Sequence, residues 1–196
     1  LFAFMRWSYT GKVMRATAQD RQASALMGID TDRVYGITWA VGIACVGAGP
    51  ASLTVANDLL PLGYECVIFE AQAVAGGLMR YNIPSFRLPA KVLDEEIGYI
   101  LDMGAEIHYK HRIESMQTLL DQGYDAVFVG TGAPRGKELK LPGRYDTDNI
   151  YIGIDWLESV AFGHIDSIGE RVLIIGVGNT AMDCCRSSLR LGAKDV

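Results

Sequence analysis

Short apolar runs alternate along this chain with segments whose apolar residues recur every three or four positions. The runs at residues 43–46, 67–69 and 126–129 predict buried strands. The segment 50–60 predicts a helix between the first two runs. Strands that alternate with helices are typical of βαβ units, so the pattern predicts an α/β protein with a parallel sheet.

Turn residues set the limits of these elements. Gly63 and Gly104 are predicted to end helices, and Pro89 suits the first turn of the helix that follows it. That helix carries five apolar residues at helical spacing: Val92, Leu93, Ile97, Ile100 and Leu101. The third apolar run is preceded by a short strand at 106–109 and by a helix that ends at residue 120. Ser115 is the predicted N-cap of that helix. The segment 75–89 is too rich in turn residues to predict a helix or a central strand.

The last third of the chain repeats the pattern once more. A connecting helix is predicted at 150–162, a strand at 172–175, and a helix that runs to residue 191 and ends at Gly192. One strand and one helix cannot close a doubly wound sheet, so we expect this sequence to be part of a longer protein. The prediction is two Rossmann-like, doubly wound domains at 37–150 and 151–196, the second incomplete. Residues 1–36, with a weak helical stripe at 13–27, stay unassigned.

Composition narrows the possible functions. The net charge of −5 gives no electrostatic case for nucleic acid, and no apolar run has the roughly 18–20 residues of a membrane span. The N-terminus is apolar but interrupted by Arg6, unlike a secretion signal. The four cysteines have no metal-ligand spacing and indicate reduced thiols in the cytoplasm. His108 and His111 lie where a strand enters a loop, so no metal site is predicted.

Two glycine turns carry the chemistry. Gly47 and Gly49 follow the first strand and precede a helix, and Glu70 lies about 20 residues further on, where a carboxylate can accept hydrogen bonds from a ribose. Gly176 and Gly178 repeat the turn after the strand predicted at 172–175. Any Cβ at these glycines would hold the backbone away from a pyrophosphate. The pattern predicts two dinucleotide sites, and hydride transfer from a nicotinamide to a flavin is chemistry that uses two.

Ser52 and Ala181 occupy the third fingerprint position of the two turns, where a small residue lets the helix pack against its strand. The glycine turns, the segment Gly76-Gly77-Leu78 and the run Ile83-Pro84-Ser85-Phe86-Arg87-Leu88-Pro89 together resemble the NADPH-dependent glutamate synthase small subunit. They equally resemble the flavin half of dihydropyrimidine dehydrogenase. The resemblance extends from about residue 43 to the end and also includes Gly130-Thr131-Gly132.

The resemblance implies FAD on the first turn and NAD(P)H on the second. It assigns Gly47, Gly49, Pro50 and Ala51 to the FAD pyrophosphate, Glu70 to the ribose, and Leu78 and Arg87 to positions along the flavin. Further predicted cofactor-binding residues are Gly77, Gly130, Thr131 and Gly132. The resemblance assigns Gly176, Gly178, Asn179 and Thr180 to NAD(P)H, and it places Asp183 in the first turn of that helix. No side chain has to act as acid or base in a hydride step, so no catalytic residue is predicted.

The resemblance also implies a larger catalytic or iron–sulfur partner subunit. Relatives have a cysteine-rich, cluster-binding domain before the first nucleotide unit, whereas residues 1–36 contain no cysteine, so clusters are expected only in a partner or in residues outside this sequence. Asn82 stands where the family usually has Gly or Glu, and asparagine tolerates the left-handed backbone that such a turn can require.

Two alternatives remain open at this point. One is a non-catalytic scaffold or regulatory subunit of an electron-transfer complex. The other is a thioredoxin-reductase-like flavoprotein, which would need a Cys-x-x-Cys pair that this sequence lacks.

Overall fold

The computed structural model describes residues 42–196 together with Ser8, Tyr9, Lys12, Val13, Ala16 and Met27. The helix expected at 13–27 therefore lies almost entirely outside the described residues. The chain forms two compact units. The first contains the described residues up to Ala75 and Ile97–Gly130, and the second contains Gly76–Glu96 and Thr131–Val196.

A four-stranded parallel sheet is the centre of the first unit. Its strands are β1 (Gly42–Val46), β2 (Glu65–Phe69), β3 (Glu106–His108) and β4 (Ala126–Val129), in the order β3-β2-β1-β4. Ala44 pairs with Val67 on one side and with Val127 on the other, which places β1 in the interior of the sheet. The four strands predicted between residues 43 and 129 and the predicted α/β class are confirmed, since this is the strand order at the start of a doubly wound sheet.

Helices connect the strands of the first unit. Helix α1 (Pro50–Leu59) continues into a 3₁₀ turn (Leu60–Leu62) between β1 and β2, and helix α4 (Met116–Asp121) precedes β4. Ala44, Val46, Phe69 and Leu119 form the buried core between the sheet and α4. Because β1 has neighbours on both sides and is buried along its length, its carboxyl end is a rigid place from which to present a turn.

The positions that end these elements follow the sequence closely. Gly63 (φ 83°) and Gly104 (φ 108°) follow the ends of their helices, as predicted, and both adopt the left-handed backbone that glycine favours. Ser115 occupies the N-cap of α4, although its hydroxyl makes no capping hydrogen bond.

The second unit contains helices α2 (Leu78–Tyr81), α5 (Gly153–Ala161) and α6 (Asn179–Arg190). Helix α3 (Ala90–Asp102) begins in the second unit and contains residues of both. Trp156 and Leu157 of α5 pack with Cys184 of α6 in a buried cluster that Ile174 and Leu191 also contact. The short helix α2 corrects the sequence prediction, because the segment 75–89 was not expected to hold one. Its four residues fit between the turn glycines 76 and 77 and Asn82.

The strand predicted at 172–175 is wrong for this structure. Among the described residues, the single pairing at this place is a parallel bridge between Arg171 and Asp195. Leu173 and Ile175 are 88% and 69% exposed. An apolar run becomes a strand only where a neighbour accepts and donates its backbone hydrogen bonds, and the described part of this unit provides one such pair.

No helix in the described part of the chain combines the length and apolar character of a membrane span.

Candidate functional site

The first glycine turn connects β1 to α1. Gly47 has a φ of 91°, a left-handed conformation that L side chains rarely adopt. Gly49 is the N-cap of α1 with extended backbone (φ −81°, ψ 178°), and Pro50 follows as the first helical residue. The first helical hydrogen bond runs from Leu53 N–H to Gly49 C=O, at 3.1 Å. The backbone N–H groups that begin a helix have no partner within it, so this turn offers donors and a partial positive charge to an anion.

Glu70 ties the second strand to that turn. Its side chain is 6% exposed, and Oε2 accepts a hydrogen bond from Ala48 N–H at 2.7 Å. Its other oxygen accepts a hydrogen bond from Gln72 N–H at 2.8 Å. The carboxylate predicted to bind a ribose therefore also shapes the glycine turn, a role that the spacing alone does not reveal.

Gly130 lies directly against Ser52 in the first unit. A Cβ added to Gly130 would lie 2.1 Å from Ser52 Oγ, far closer than real contacts allow. Ser52 is fully buried, and its hydroxyl has no hydrogen-bond partner among the described residues. The small third-position residue and the glycine after β4 thus pack closely together at the start of α1. A glycine cradle with an unused hydroxyl fits the backbone-bound phosphate of a dinucleotide.

The second glycine turn repeats this geometry at α6. Gly176 has a φ of 144°, and Gly178 is the N-cap of α6 with φ −84° and ψ 176°. The first helical bond runs from Met182 N–H to Gly178 C=O, again at 3.1 Å. A Cβ on Gly176 would lie 3.3 Å from the Cβ of Ala181, which explains why a small residue stands at that position. The two helices therefore begin in the same way, each with an extended glycine N-cap.

The other predicted binding residues lie near the ends of elements. Ala51, Asn179 and Thr180 are exposed in the first turns of their helices. Gly77 (φ 52°) is the N-cap of α2, and Leu78 is its first residue. Thr131 and Gly132 (φ 67°) are exposed residues of the second unit outside any helix or strand.

Arg87 and Asp183 form an ion pair inside the second unit. Arg87 Nη1 lies 2.6 Å from Asp183 Oδ2, and the two side chains are 39% and 5% exposed. The hydrogen bond to Asp183 and the charge of its carboxylate raise the pKa of the Arg87 guanidinium. Asp183 is the fifth residue of α6, so its expected place in the first turn is corrected to the second turn.

The loop that carries Arg87 is attached at further points that the sequence does not predict. The Phe86 ring lies under the Arg190 guanidinium, with 3.8 Å between Cζ and the ring centroid. Asn82 Nδ2 donates to Ile154 C=O at 2.7 Å. Asn82 has a right-handed backbone with φ −112°, so this turn does not use the left-handed conformation that asparagine tolerates. The side-chain amide of Asn82 therefore attaches this loop to α5. In the sequence, this contact is indicated only by the presence of a polar residue in a turn.

His108 and His111 belong to an aromatic cluster. The His108 ring stacks on Phe69 with 5.2 Å between centroids, and His111 lies 5.1 Å from the same ring. His108 Nε2 also lies 2.9 Å from a carboxylate oxygen of Glu106. In the described part of the chain, no group of three or more His, Cys, Asp or Glu side chains has the arrangement of a metal site.

The buried thiols are shielded from ionisation. Burial, and secondarily the neighbouring Cys66, raises the pKa of Cys45 to about 12. Burial raises the pKa of Cys66 to about 11, and burial with nearby Asp183 and Cys185 raises that of Cys184 to about 11. A thiol reacts as the thiolate, so these three have the character of packing residues.

A parallel sheet whose central strand ends in a glycine turn at a helix N-terminus defines a dinucleotide-binding α/β protein. The chain belongs to the pyridine nucleotide-disulphide oxidoreductase family, whose sequence profile matches residues 41–196.

Curated relatives confirm the resemblance to the glutamate synthase small subunit. The chain is 38% identical over 164 residues to the NADP(+)-dependent formate dehydrogenase subunit beta of Moorella thermoacetica, covering 82% of this chain and 23% of that protein. It is 39% identical to the NADPH-Fe(3+) oxidoreductase subunit beta of Geobacter sulfurreducens, covering 78% and 24%. It is 31% identical to the glutamate synthase [NADPH] small chain of Azospirillum brasilense, covering 80% and 35%. The chain thus spans about a quarter to a third of the length of these relatives.

Solved structures agree on the fold. The oxidoreductase FprA of Mycobacterium tuberculosis in complex with NADPH superposes with a TM-score of 0.65 at 23% identity. The match covers 74% of this chain and 36% of FprA.

Proposed function

We propose that this chain is the FAD- and NAD(P)H-binding part of a flavin-dependent oxidoreductase subunit. Its first glycine turn would bind FAD, and its second would bind NAD(P)H. The observation that carries the proposal is the repeated geometry at Gly49 and Gly178, two extended glycine N-caps that each follow a left-handed glycine. A protein needs two such turns when it holds two dinucleotides, and the family supports this use of them.

The residues around the first turn fit FAD. Gly47, Gly49 and Gly130 have no Cβ that would hold a pyrophosphate away from the backbone, and Ala51 and Ser52 belong to the first turn of the helix whose N–H groups would face it. Glu70 would accept a ribose hydroxyl while it holds the Ala48 N–H in place. When bound, FAD supplies the chemistry that accepts a hydride from NAD(P)H and releases electrons one at a time. The protein's own part is to bind and orient the two dinucleotides.

The relatives support a place in a larger assembly. Two of them are named as beta subunits and one as the small chain of a glutamate synthase. We propose a larger catalytic or iron–sulfur subunit as the electron acceptor. The four cysteines are free, which supports a reducing compartment and therefore a cytoplasmic location.

The test uses the full-length protein with two matched variants. Valine tolerates the extended backbone of Gly49 and Gly178, so Gly49→Val and Gly178→Val add bulk to the two turns with little backbone strain. At Gly178 an added Cβ meets no atom within 4 Å, so the folded protein can accept a side chain at this position. We expect Gly49→Val to lose bound flavin, and Gly178→Val to keep flavin but lose its reduction by NAD(P)H under anaerobic conditions.

Gly169→Val is the control, because a Cβ at this exposed glycine also meets no atom within 4 Å. It should keep both the flavin spectrum and its bleaching by NAD(P)H. A folded wild-type protein that binds no flavin when FAD is added would contradict the proposal. Unchanged flavin content in Gly49→Val, with the complex still assembled and active, would favour the scaffold alternative.

A further inference from the structure

The ion pair between Arg87 and Asp183 joins two segments of the second unit: the run 83–89, which carries the family resemblance, and the helix after the second glycine turn. Arg87 belongs to the loop between α2 and α3, and Asp183 belongs to the helix that begins at the second glycine turn. The pair spans 96 positions of sequence, and its carboxylate is 5% exposed. A buried carboxylate is stable as a charge only when a cation or hydrogen-bond donors face it. Arg87 is such a cation, because it donates directly to Asp183.

The position of Asp183 explains why its charge matters. It lies four residues after Asn179, so it is one helical turn from the start of α6 and about 6 Å along the helix axis. Residues at this spacing share a face of the helix. An uncompensated carboxylate there would oppose the partial positive charge of the helix N-terminus and repel a dianionic pyrophosphate. With Arg87 in place, the pair is neutral and the N-terminus keeps its attraction for anions.

The loop is held on α6 at a second point. Phe86 packs under Arg190 in the last turn of the helix, while Arg87 pairs in the second turn. The two neighbouring loop residues therefore contact α6 at Asp183 and Arg190, which are seven positions apart. This arrangement holds the guanidinium of Arg87 against α6, beside the carboxylate that it neutralises.

We infer that Arg87 is a positioning residue for pyridine-nucleotide binding: it neutralises Asp183 and holds helix α6 so that the N–H groups after Gly178 can accept the pyrophosphate. This inference rests on the proposed function of the second turn. It differs from the expectation that Arg87 contacts the flavin site, because here Arg87 acts through Asp183.

The test compares Arg87→Gln, Asp183→Asn and the double variant in the full-length protein. The dissociation constant of NADP⁺ is measured by isothermal titration calorimetry, alongside the KM and kcat for NADPH. We expect Arg87→Gln to weaken NADP⁺ binding about tenfold and to raise the KM similarly, with kcat changed by less than about twofold. The double variant should recover most of the affinity, because it removes the uncompensated carboxylate together with its partner.

Arg144→Gln is the matched control, since Arg144 is another ion-paired arginine of this unit, 2.7 Å from a carboxylate oxygen of Glu138. It should leave the NADP⁺ dissociation constant unchanged. An unchanged dissociation constant in Arg87→Gln would overturn the inference. A double variant as weak as Arg87→Gln would also overturn it, because Arg87 would then act by some route other than neutralising Asp183.

Hydrogen exchange gives a readout that does not depend on cofactor turnover. The backbone amides at the start of α6 should exchange faster in Arg87→Gln and regain protection in the double variant. Unchanged exchange in both would contradict the positioning role. If the wild-type protein binds no pyridine nucleotide, the proposed function fails, and the exchange result still decides whether Arg87 holds α6. If Arg87→Gln does not fold, recovery of a folded, NADP⁺-binding protein in the double variant supports the inference, and failure there overturns it.

Discussion

The Glu70 carboxylate accepts a hydrogen bond from the Ala48 backbone N–H, with 2.7 Å between Oε2 and N. The two residues are 22 positions apart, on either side of helix α1. The bond joins the end of strand β2 to the turn after strand β1. It makes the shape of the first glycine turn depend on a single buried charge.

Glu70→Gln should therefore destabilise the protein and weaken flavin retention together. An amide has one acceptor oxygen, so it cannot accept from both the Ala48 and the Gln72 N–H groups through separate oxygens. We expect the free energy of unfolding to fall by about 1–3 kcal/mol, the usual effect of leaving a buried donor unpaired. Urea denaturation and the ratio of flavin to protein absorbance measure the two effects.

Glu65→Gln is the control for this experiment, because Glu65 is exposed at the other end of the same strand. Its stability and flavin content should match those of the wild type. Equal behaviour of the Glu65 and Glu70 variants would contradict a structural role for the Glu70 carboxylate.

Two glycine-to-alanine changes should shift stability in opposite directions. Gly130→Ala places a Cβ 2.1 Å from Ser52 Oγ and 3.1 Å from a ring carbon of Phe128. We expect a loss of about 1–3 kcal/mol from this overpacking. Gly98 lies within α3, and a Cβ there meets no atom within 4 Å. Gly98→Ala should stabilise the protein by about 0.5–1 kcal/mol through its higher helix propensity.

Chemical denaturation of both variants at one pH measures these differences. A third variant, Gly130→Ala with Ser52→Ala, removes the hydroxyl that the new methyl group would meet and should recover part of the lost stability. If Gly130→Ala and the double variant are equally destabilised, the Ser52 hydroxyl is not the group that excludes a Cβ at position 130.

Stability should fall as the pH rises above about 9. The pKa of Cys45 is raised from 9.0 to about 12, and those of Cys66 and Cys184 are raised to about 11. Above pH 9 these thiols ionise in the unfolded chain while they stay protonated in the folded protein. The unfolded state then binds fewer protons, so the free energy of unfolding falls with rising pH, by up to about 1.4 kcal/mol per pH unit for each thiol.

Cys45→Ala, compared with the wild type by urea denaturation between pH 8 and pH 10.5, isolates one of these contributions. The alanine variant should lose stability less steeply over that interval, whatever its stability at pH 8. Identical slopes would contradict the raised pKa. Alkylation at pH 8 gives a second measurement, since Cys45, Cys66 and Cys184 should react only after unfolding.

Phe86 and Arg190 should show energetic coupling in a double-mutant cycle. A guanidinium over an aromatic face is attracted by the ring and packs against it, and the Arg190 Cζ lies 3.8 Å from the Phe86 centroid. We expect a coupling energy of about 0.5–1 kcal/mol between Phe86→Leu and Arg190→Gln, measured by urea denaturation. Arg186→Gln, an exposed change on the same helix, should be additive with Phe86→Leu. Additivity in both pairs would contradict the contact.

Local patterns alone predicted the framework of the first unit. Apolar runs of three or four residues became parts of β1, β2 and β4, because each has at least one parallel neighbour that shares its backbone hydrogen bonds. The same kind of run at 172–175 did not become a strand, because a single bridge at Arg171 is all that the described part of its unit provides. The hydrophobic pattern of a segment indicates its tendency to form a strand, whereas the neighbouring strand with which it pairs is provided by the tertiary structure.

The sequence by itself determined the two glycine turns. The positive φ of Gly47 and Gly176, and the extended caps at Gly49 and Gly178, follow from what glycine allows and from the helix that begins after each turn. Such features depend on residues within a few positions of one another, so they can be read along the chain.

Only the tertiary structure decided which charges and side chains meet. The bonds of Glu70 to Ala48 and of Arg87 to Asp183 join residues 22 and 96 positions apart, and Gly130 at the end of strand β4 meets Ser52 of helix α1. No periodicity links such pairs, because their contact results from the packing of whole elements. The sequence shows charged, small or glycine residues at these positions, and the fold determines which groups each of them contacts.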